Sequence, residues 1–509
     1  MGAESKPTGP DFAAGVALAD IPDDGILGGH VGDEPVVLAR VDGELCAIGG
    51  ACTHYGGPLG EGLRVGDTVR CPWHHACFSL RTGEALAAPA IDPVARWRVD
   101  VEGDTVFVRK TLEPAAPRQA AKGQRPERIV IVGGGAAGFA AAEMLRRRGY
   151  DGSLTMLSAD ADAPYDRPNL SKDYLAGSAP EEWIPLRGED FYAQNRIDLR
   201  LNTPVARLDP DAREVVGASG ERFGYDALLL ATGAEPVRLP TPGFDRPNVH
   251  TLRSLADSRA IIAAAQGAAR VAVVGASFIG LEVAAALRER KLEVHVIAPE
   301  TIPLEKVMGS ELGELVRARH EQHGVVFHFG QTAQTFDGAR LKLSGGGEVA
   351  TDLVVIGVGV RPRIELAEAA GLAVDKGVLV DRFLETDHPG IFAAGDIARY
   401  PDPRSGERAR VEHWVHAERQ GQAVAHAMLG ERRPYARPPF FWSNHYDLAI
   451  HYVGNAAGFD RADVDGSVAD ADATVRFLRG GEVLAAASVG RDRQSLEIEA
   501  GLEREPLPG

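Results

Sequence analysis

The chain has 509 residues, 44% of them hydrophobic and 25% charged, a globular balance whose length predicts three or more domains. A net charge of −17 argues against nucleic acid as a partner, and no apolar run approaches the roughly 18 residues that a membrane helix needs. The four cysteines all lie between positions 46 and 77, which implies no disulfide framework and fits a reducing, cytoplasmic setting. Residues 1–6 lack the apolar core of a signal peptide, and Lys6 breaks a myristoylation pattern.

Residues 1–110 read as a small β domain. The run Pro35–Val41 ends at the turn signal Asp42-Gly43, and Thr105–Val108 is a second extended run. Between them lie two boxes, Cys52-Thr53-His54 and Cys71-Pro72-Trp73-His74. Two thiolates and two imidazoles match the ligand set of a Rieske 2Fe–2S cluster, sulfur on one iron and nitrogen on the other. Zinc takes the same four ligands. Gly56-Gly57-Pro58-Leu59 after the first box and Pro72 inside the second favour the cluster, because tight loops suit a bulky inorganic core. The C-x-x-H spacing selects His74 as the ligand and leaves His75 as a neighbour. Residues 111–127, rich in Pro, Ala, Gln and charge, read as a linker with an end-to-end distance of about 20–25 Å.

Two phosphate-cradling units follow. The first is strand 128–132, the loop Gly133-Gly134-Gly135-Ala136-Ala137-Gly138 and a helix through Arg147; the second is strand 270–274, the loop Gly275-Ala276-Ser277-Phe278-Ile279-Gly280 and a helix through Arg290. Glycines permit the tight turn, and the helix N-terminus attracts a pyrophosphate. Ser277 stands where the middle glycine is expected, so its side chain either crowds the pyrophosphate or donates to it. Asp160 and Glu300 are the ribose-holding candidates, each slightly late after its second strand. No Arg or Lys follows Glu300 until Lys306, which favours NADH over NADPH. Tyr225–Gly233, ending in Ala231-Thr232-Gly233, reads as a buried strand and glycine turn. Leu353–Pro362 does the same for the second unit, and Ile391–Asp396 returns to the first. The expected divisions are 128–248 and 371–433 for the first dinucleotide domain, 249–370 for the second, and 434–509 for a mixed terminal domain with a hairpin at Phe477–Leu484.

The boxes resemble Rieske ferredoxins that feed oxygenases; the disulfide positions of respiratory Rieske proteins would fall at Gly57 and Trp73, so that clasp is absent. With this unit included, nearly the whole chain resembles apoptosis-inducing-factor-like, Rieske-containing oxidoreductases of the ferredoxin-reductase branch. The motifs that carry the resemblance are Tyr165-Asp166-Arg167-Pro168 with Leu170-Ser171-Lys172, the Ala-Thr-Gly and Gly-Asp turns, Glu412-His413-Trp414 and Phe441-Trp442-Ser443. The implied fold is multidomain: an N-terminal all-β Rieske domain, α/β Rossmann-like FAD and NAD domains, and an α+β C-terminal domain. The resemblance places Arg167 and Lys172 on the FAD, pairs Glu282 with Lys172 as the catalytic pair, sets Asp396 at the ribitol from a helix N-terminus, and makes Trp442 a wall of the flavin. It also assigns Val205, Gly359, Gly395, Glu412, His413 and Trp414 to the cofactors. The implied current runs from NADH through FAD to the 2Fe–2S cluster and on to an external one-electron acceptor such as an oxygenase, a cytochrome P450 or a ferredoxin, with a homodimer possible. Imidazole ligands at the protein surface would let electron uptake carry a proton. Disulfide reductases share this architecture but need a thiolate at the flavin, and no cysteine occurs beyond Cys77. A redox-sensing interaction protein with slow NADH oxidation is the competing expectation.

Overall fold

The computed structural model describes residues 8–115 and 125–504; most of the expected linker, 116–124, lies outside the described residues. The N-terminal region is all β. Its six-stranded antiparallel sheet runs, edge to edge, Val16–Ala17, Thr105–Leu112, Arg96–Glu102, Glu44–Gly49, Glu34–Val41 and Leu27–Val31. Alternation along Glu34–Val41 sends Val36 and Leu38 into one apolar cluster and Val37, Ala39 and Val41 into another, as the two faces of a strand require. A second sheet, Leu63–Val65, Thr68–Arg70, Cys77–Ser79 and Ala85–Ala87, carries the second box in the loop between its middle strands.

Two parallel five-stranded sheets follow. The first has the order Asp198–Arg200, Ser153–Leu157, Arg128–Val132, Ala227–Leu230, Ile391–Ala393; the second has Val249–Thr251, Leu353–Ile356, Arg270–Val274, Glu293–Ala298, Val325–Phe329. Their central strands are buried along nearly their whole length (Ile129 to Val132, Leu228 to Leu230, Val271 to Val274), which suits sheets covered on both faces. The chain thus leaves the first sheet, builds the second, and returns with Ile391–Ala393. It then adds the helix Trp414–Met428, which packs on the helix Ala136–Arg147 so closely that a Cβ on Gly421 would stand 2.1 Å from the Ala137 carbonyl oxygen.

The last region is a five-stranded antiparallel sheet, Phe440–His445, Leu448–Gly454, Glu482–Val489, Asp472–Arg479, Arg461–Ser467, with the helix Asp492–Arg504 against it. Its hairpin turns at Gly480-Gly481, both in the left-handed region. No helix among the described residues is long and apolar enough to cross a membrane.

Candidate functional site: a cleft meeting a cysteine–histidine centre

A cavity of about 1070 Å³ opens between the two parallel sheets and the last domain. Both glycine loops reach it. Gly133, with φ of 116°, has no room for a Cβ, which would lie 2.1 Å from the Ala231 carbonyl oxygen, and one on Gly138 would lie 2.0 Å from that of Gly133. Gly135 faces open space bounded by the Arg167 guanidinium. The loop is therefore tight where it meets protein and open where it meets the cavity.

The cavity is lined by Gly133, Gly135, Ala136, Ala137, Asp160, Arg167, Lys172, Val205, Ala231, Thr232 and Gly233 from the first unit and by Ser277, Phe278, Ile279, Glu282 and Gly359 from the second. Gly395, Asp396, Glu412, His413, Trp414 and Trp442 close it. Gly138, Gly275, Gly280 and Glu300 are not on its wall; the first three shape the loops from behind, and Glu300 follows the strand Glu293–Ala298.

Two expectations need correction. Ser277 stays on the cavity wall, but its hydroxyl is engaged by the protein rather than left for a phosphate. It caps the helix Phe278–Glu289, accepting from Gly280 N at 3.2 Å and donating to the Gly357 carbonyl at 2.7 Å. Asp396 sits in a turn, not at a helix N-terminus; the helix whose N-terminus faces the cavity here is Trp414–Met428. Asp396 is held by Arg253 at 2.6 Å. Arg253 lines the cavity too and escaped the sequence reading, because a lone arginine after a short strand carries no local signal.

Lys172 Nζ lies 2.8 Å from Glu282 Oε2, and Ser171 Oγ donates to the same oxygen at 2.6 Å. Both side chains are largely buried, so desolvation offsets much of their attraction. Such a pair adds little to stability; it holds a cation against the cavity wall. Buried polar atoms around the cleft still lack protein partners, among them Arg167 Nε, Arg253 Nε and His413 Nδ1. Burial pushes the His413 imidazole down to about 4, so it is neutral at pH 7. A glycine cradle, two helix N-termini, guanidinium groups and open polar atoms fit a flavin dinucleotide.

The two cysteine–histidine boxes converge beside this cleft. Cys71 hydrogen-bonds to Cys52, which lowers the Cys52 thiol and raises that of Cys71, while His54 Nδ1 faces His74 Nδ1 at 3.1 Å. Among the described residues no three such side chains converge as a single metal ion would need. The donors form a sulfur pair and a nitrogen pair, which fits two irons. Gly57 is required here: a Cβ would stand 2.6 Å from Cys71 Sγ. Gly57→Ala is expected to displace that ligand and lower iron content per chain by about 10-fold, read by iron and acid-labile sulfide assay.

Neither imidazole lies free at the surface. His54 stacks on Tyr55 (3.9 Å between ring centroids), and His74 meets Trp442 at 4.2 Å. The Tyr55 hydroxyl donates to the Asp166 carboxylate, whose pKa burial raises to about 7. Burial likewise pushes His54 down to about 3 and His74 well down, so both are neutral, the form that a metal ligand must have.

One strand joins the two sites. Phe440–His445 sends Phe440 and Trp442 toward the cysteine–histidine centre, where Phe440 stacks on His75 at 3.9 Å. It sends Phe441, Ser443 and His445 the other way, toward Phe278, Glu282 and His320. The docking is reinforced by a buried polar knot. Glu499, on the helix Asp492–Arg504, meets Arg70 at 3.1 Å, His75 at 3.0 Å and Arg419 at 2.6 Å, and Glu503 one turn on meets Arg70 and Arg437. His75, the neighbour of the expected ligand His74, is thus an anchor between domains.

Comparison with known proteins agrees with this layout. The description "Pyridine nucleotide-disulphide oxidoreductase" matches residues 127–421, more than half of the chain. The chain belongs to this family. The oxidoreductase also carries a match to the Rieske [2Fe-2S] domain over 14–98 and to the reductase C-terminal domain over 440–505. It is similar to apoptosis-inducing factor 3 of Homo sapiens, 32% identical over 482 residues that cover 90% of this chain and 78% of that protein. Rhodocoxin reductase of Rhodococcus erythropolis is 36% identical over 373 residues, covering 72% and 87%. Among solved structures, the covalent putidaredoxin reductase–putidaredoxin complex aligns with a TM-score of 0.72 at 32% identity, covering 74% of this chain and 93% of that one. The oxidoreductase is an NAD(P)H-dependent flavoprotein of ferredoxin-reductase type with a Rieske domain.

Proposed function

We propose that the protein takes electrons from NADH, passes them within one chain from the cleft to the Cys52–His54–Cys71–His74 centre, and delivers them singly to an external protein. The observation that carries this reading is Trp442, which lines the cleft on one side and lies 4.2 Å from the ring of His74 on the other. FAD, when bound, converts a two-electron hydride donor into a one-electron source, and a 2Fe–2S cluster accepts one electron. The chain's own residues do the rest. Lys172, fixed by Glu282, and Arg167 set positive charge beside the position where negative charge develops. Trp442, with Lys172 Nζ 5.8 Å from its ring, stands on the cleft wall beside that cation. Gly133 to Gly138 and Asp160 would hold the FAD; Ser277 to Glu282 would face the nicotinamide; Cys52, His54, Cys71 and His74 would hold the irons. Glu300, without a cation until Lys306, supports NADH over NADPH.

The relatives support this acceptor class; they include rhodocoxin reductase and the reductase component of the anthranilate 1,2-dioxygenase system. A ferredoxin, a cytochrome P450 or an oxygenase would fit. The test is an anaerobic titration with NADH, and in parallel with NADPH, followed by optical and EPR spectra. Bleaching of the flavin with a growing Rieske EPR signal, at lower NADH than NADPH, is the expected result. Flavin reduction with an EPR-silent iron centre would overturn the relay. Turnover too slow to support a one-electron dye would favour the sensing role that the similarity to apoptosis-inducing factor 3 suggests.

A further inference from the structure

Three of the four expected ligands are closed in by protein. Cys52 and Cys71 are buried in the core of the β unit, and Gly57 packs against Cys71 Sγ. His74 faces Trp442. His54 alone is covered by an exposed side chain. The Tyr55 ring lies 3.9 Å from the His54 ring between centroids and nearly parallel to it, at 16°. Tyr55 is nevertheless 42% exposed. Its inner face is on His54 and its hydroxyl is tied to Asp166, so the exposed area belongs to the outer face of the ring. At this point one aromatic ring separates a ligand from solvent.

The surface around Tyr55 is assembled from two domains. Thr53, also exposed, donates to the Asp92 carbonyl at 2.7 Å, and the Asp92 carboxylate holds Arg187 at 2.7 Å. Asp166, which accepts from Tyr55, donates its backbone N–H to the Ile184 carbonyl at 2.8 Å. Next to Ile184 stands Trp183, 46% exposed. The charges on this stretch do not balance. Arg187 is paired with Asp92, and Arg259 with Asp162 and Glu181. Glu182, Glu189 and Asp190 are exposed and form no ion pair among the described residues. Exposed aromatic rings bordered by charge of one sign have the make-up of a protein-docking surface.

We infer that Tyr55 is the electron exit, and that the acidic face formed with Trp183 and Glu182 docks a one-electron carrier protein with a basic surface. The inference rests on the proposed function and deepens it, because it says where the acceptor sits and what charge it bears. Opposite charge draws the carrier in, and the attraction weakens as salt is added. Each delivery oxidises the reduced centre by one electron and reduces the carrier by one; no bond forms. Tyr55, Thr53 and Asp92 belong to the β unit, whereas Trp183 and Glu182 belong to the first dinucleotide domain. The face is therefore whole only while the two are docked, and the knot around Glu499 holds them so. The carrier reads the assembled enzyme, and the β unit does not have to leave the flavin side to deliver.

Carbodiimide coupling of the oxidised holoprotein to cytochrome c, a basic one-electron carrier, tests the face without turnover. Mass spectrometry is expected to find cytochrome c lysines joined to Glu182, Glu189 or Asp190; coupling only elsewhere would overturn the inference. Delivery is then followed by stopped flow, mixing dithionite-reduced holoprotein, freed of excess reductant, with cytochrome c. Tyr55→Ala is expected to slow this step about tenfold, as loss of an aromatic anchor does, and Tyr55→Phe to leave it unchanged. Glu182→Lys is expected to slow it about tenfold, at the low end of what steering supplies, and to flatten its salt dependence. The Rieske EPR signal checks that the Tyr55 variants keep the irons, and Glu182→Lys carries the test if Tyr55→Ala does not fold. Wild-type delivery by both Tyr55→Ala and Glu182→Lys would overturn the exit. So would a Glu499→Gln protein that delivers faster than wild type, since an undocked β unit would then be the donor. Chemical reduction bypasses NADH, so an iron centre that NADH fails to reduce would refute the proposed function and leave these results standing.

Discussion

Cys52→Ser protein is expected to remain yellow and to be reduced by NADH at close to the wild-type rate, yet to lose single-electron delivery to an external protein by more than about 100-fold. Removing only an outer hydrogen-bond partner of a metal ligand costs 10–100-fold in metal affinity or activity. Losing one of two paired sulfurs removes a ligand outright. Cys52 is 4% exposed and Cys71 1%, so no solvent group is poised to replace the thiolate. Because the cleft is built from residues 132–442, its wall does not include the cysteine, and flavin content should be unaffected. Stopped-flow absorbance separates the two steps: a fast flavin phase with no iron phase is the expected trace. Equal loss of both phases would mean that the two sites do not act in series.

Glu499→Gln is the second large change. The glutamine keeps the volume, so no cavity forms, but Arg419 and Arg70 lose their buried counter-charge, with Glu503 left to hold Arg70. An unpaired buried charge costs about 3–5 kcal/mol, and the expected value lies near the lower end because of Glu503. The docked state should weaken while each domain stays folded, read as a larger radius of gyration in small-angle scattering and as slower flavin-to-iron transfer. The pH dependence has a definite sign. Burial alone would raise the Glu499 carboxyl, but Arg419 and His75 override it and hold it well below the usual range. A depressed carboxylate contributes fully above its unfolded value of about 4.3 and loses that contribution as pH falls through the folded value. The gap between wild type and variant should therefore be constant at neutral pH and close only in strong acid. A gap that opens between pH 6 and 8 would point to His75 instead.

What could be seen in the chain alone was local. Glycine loops, the two cysteine–histidine boxes and the apolar strands beside them are each set by a few consecutive residues. The Lys172–Glu282 pair was reachable only through family resemblance, since 110 residues separate its members. The Ser277 hydroxyl was read toward a phosphate because the acceptor it donates to, the Gly357 carbonyl, lies 80 residues away, whereas its contact with Gly280 is a local helix cap. Asp396 was placed at a helix end by the resemblance, and the chain alone could not correct it, because a Gly-Asp turn and a helix cap look alike in one dimension. The docking knot left no trace: nothing about Glu499, near the end of an amphipathic helix, says that it will meet His75, 424 residues earlier. Trp442 was expected at the flavin and lies on the cleft wall, but its second face, against His74, depends on a domain arrangement that no short window encodes.

The last sheet contributes the wall that both redox sites share, and its helix carries the carboxylate that anchors the Rieske unit. Protein synthesis runs in the opposite sense: the iron-binding unit leaves the ribosome first, while its berth is completed only when Glu499 emerges. During that interval Arg70 and the imidazole of His75 face water, and the apolar ring of Phe440 has not yet arrived to cover them. A nascent chain must therefore carry its finished β unit undocked until the Glu499 helix has been made, so that docking of the two redox sites is a late closing step.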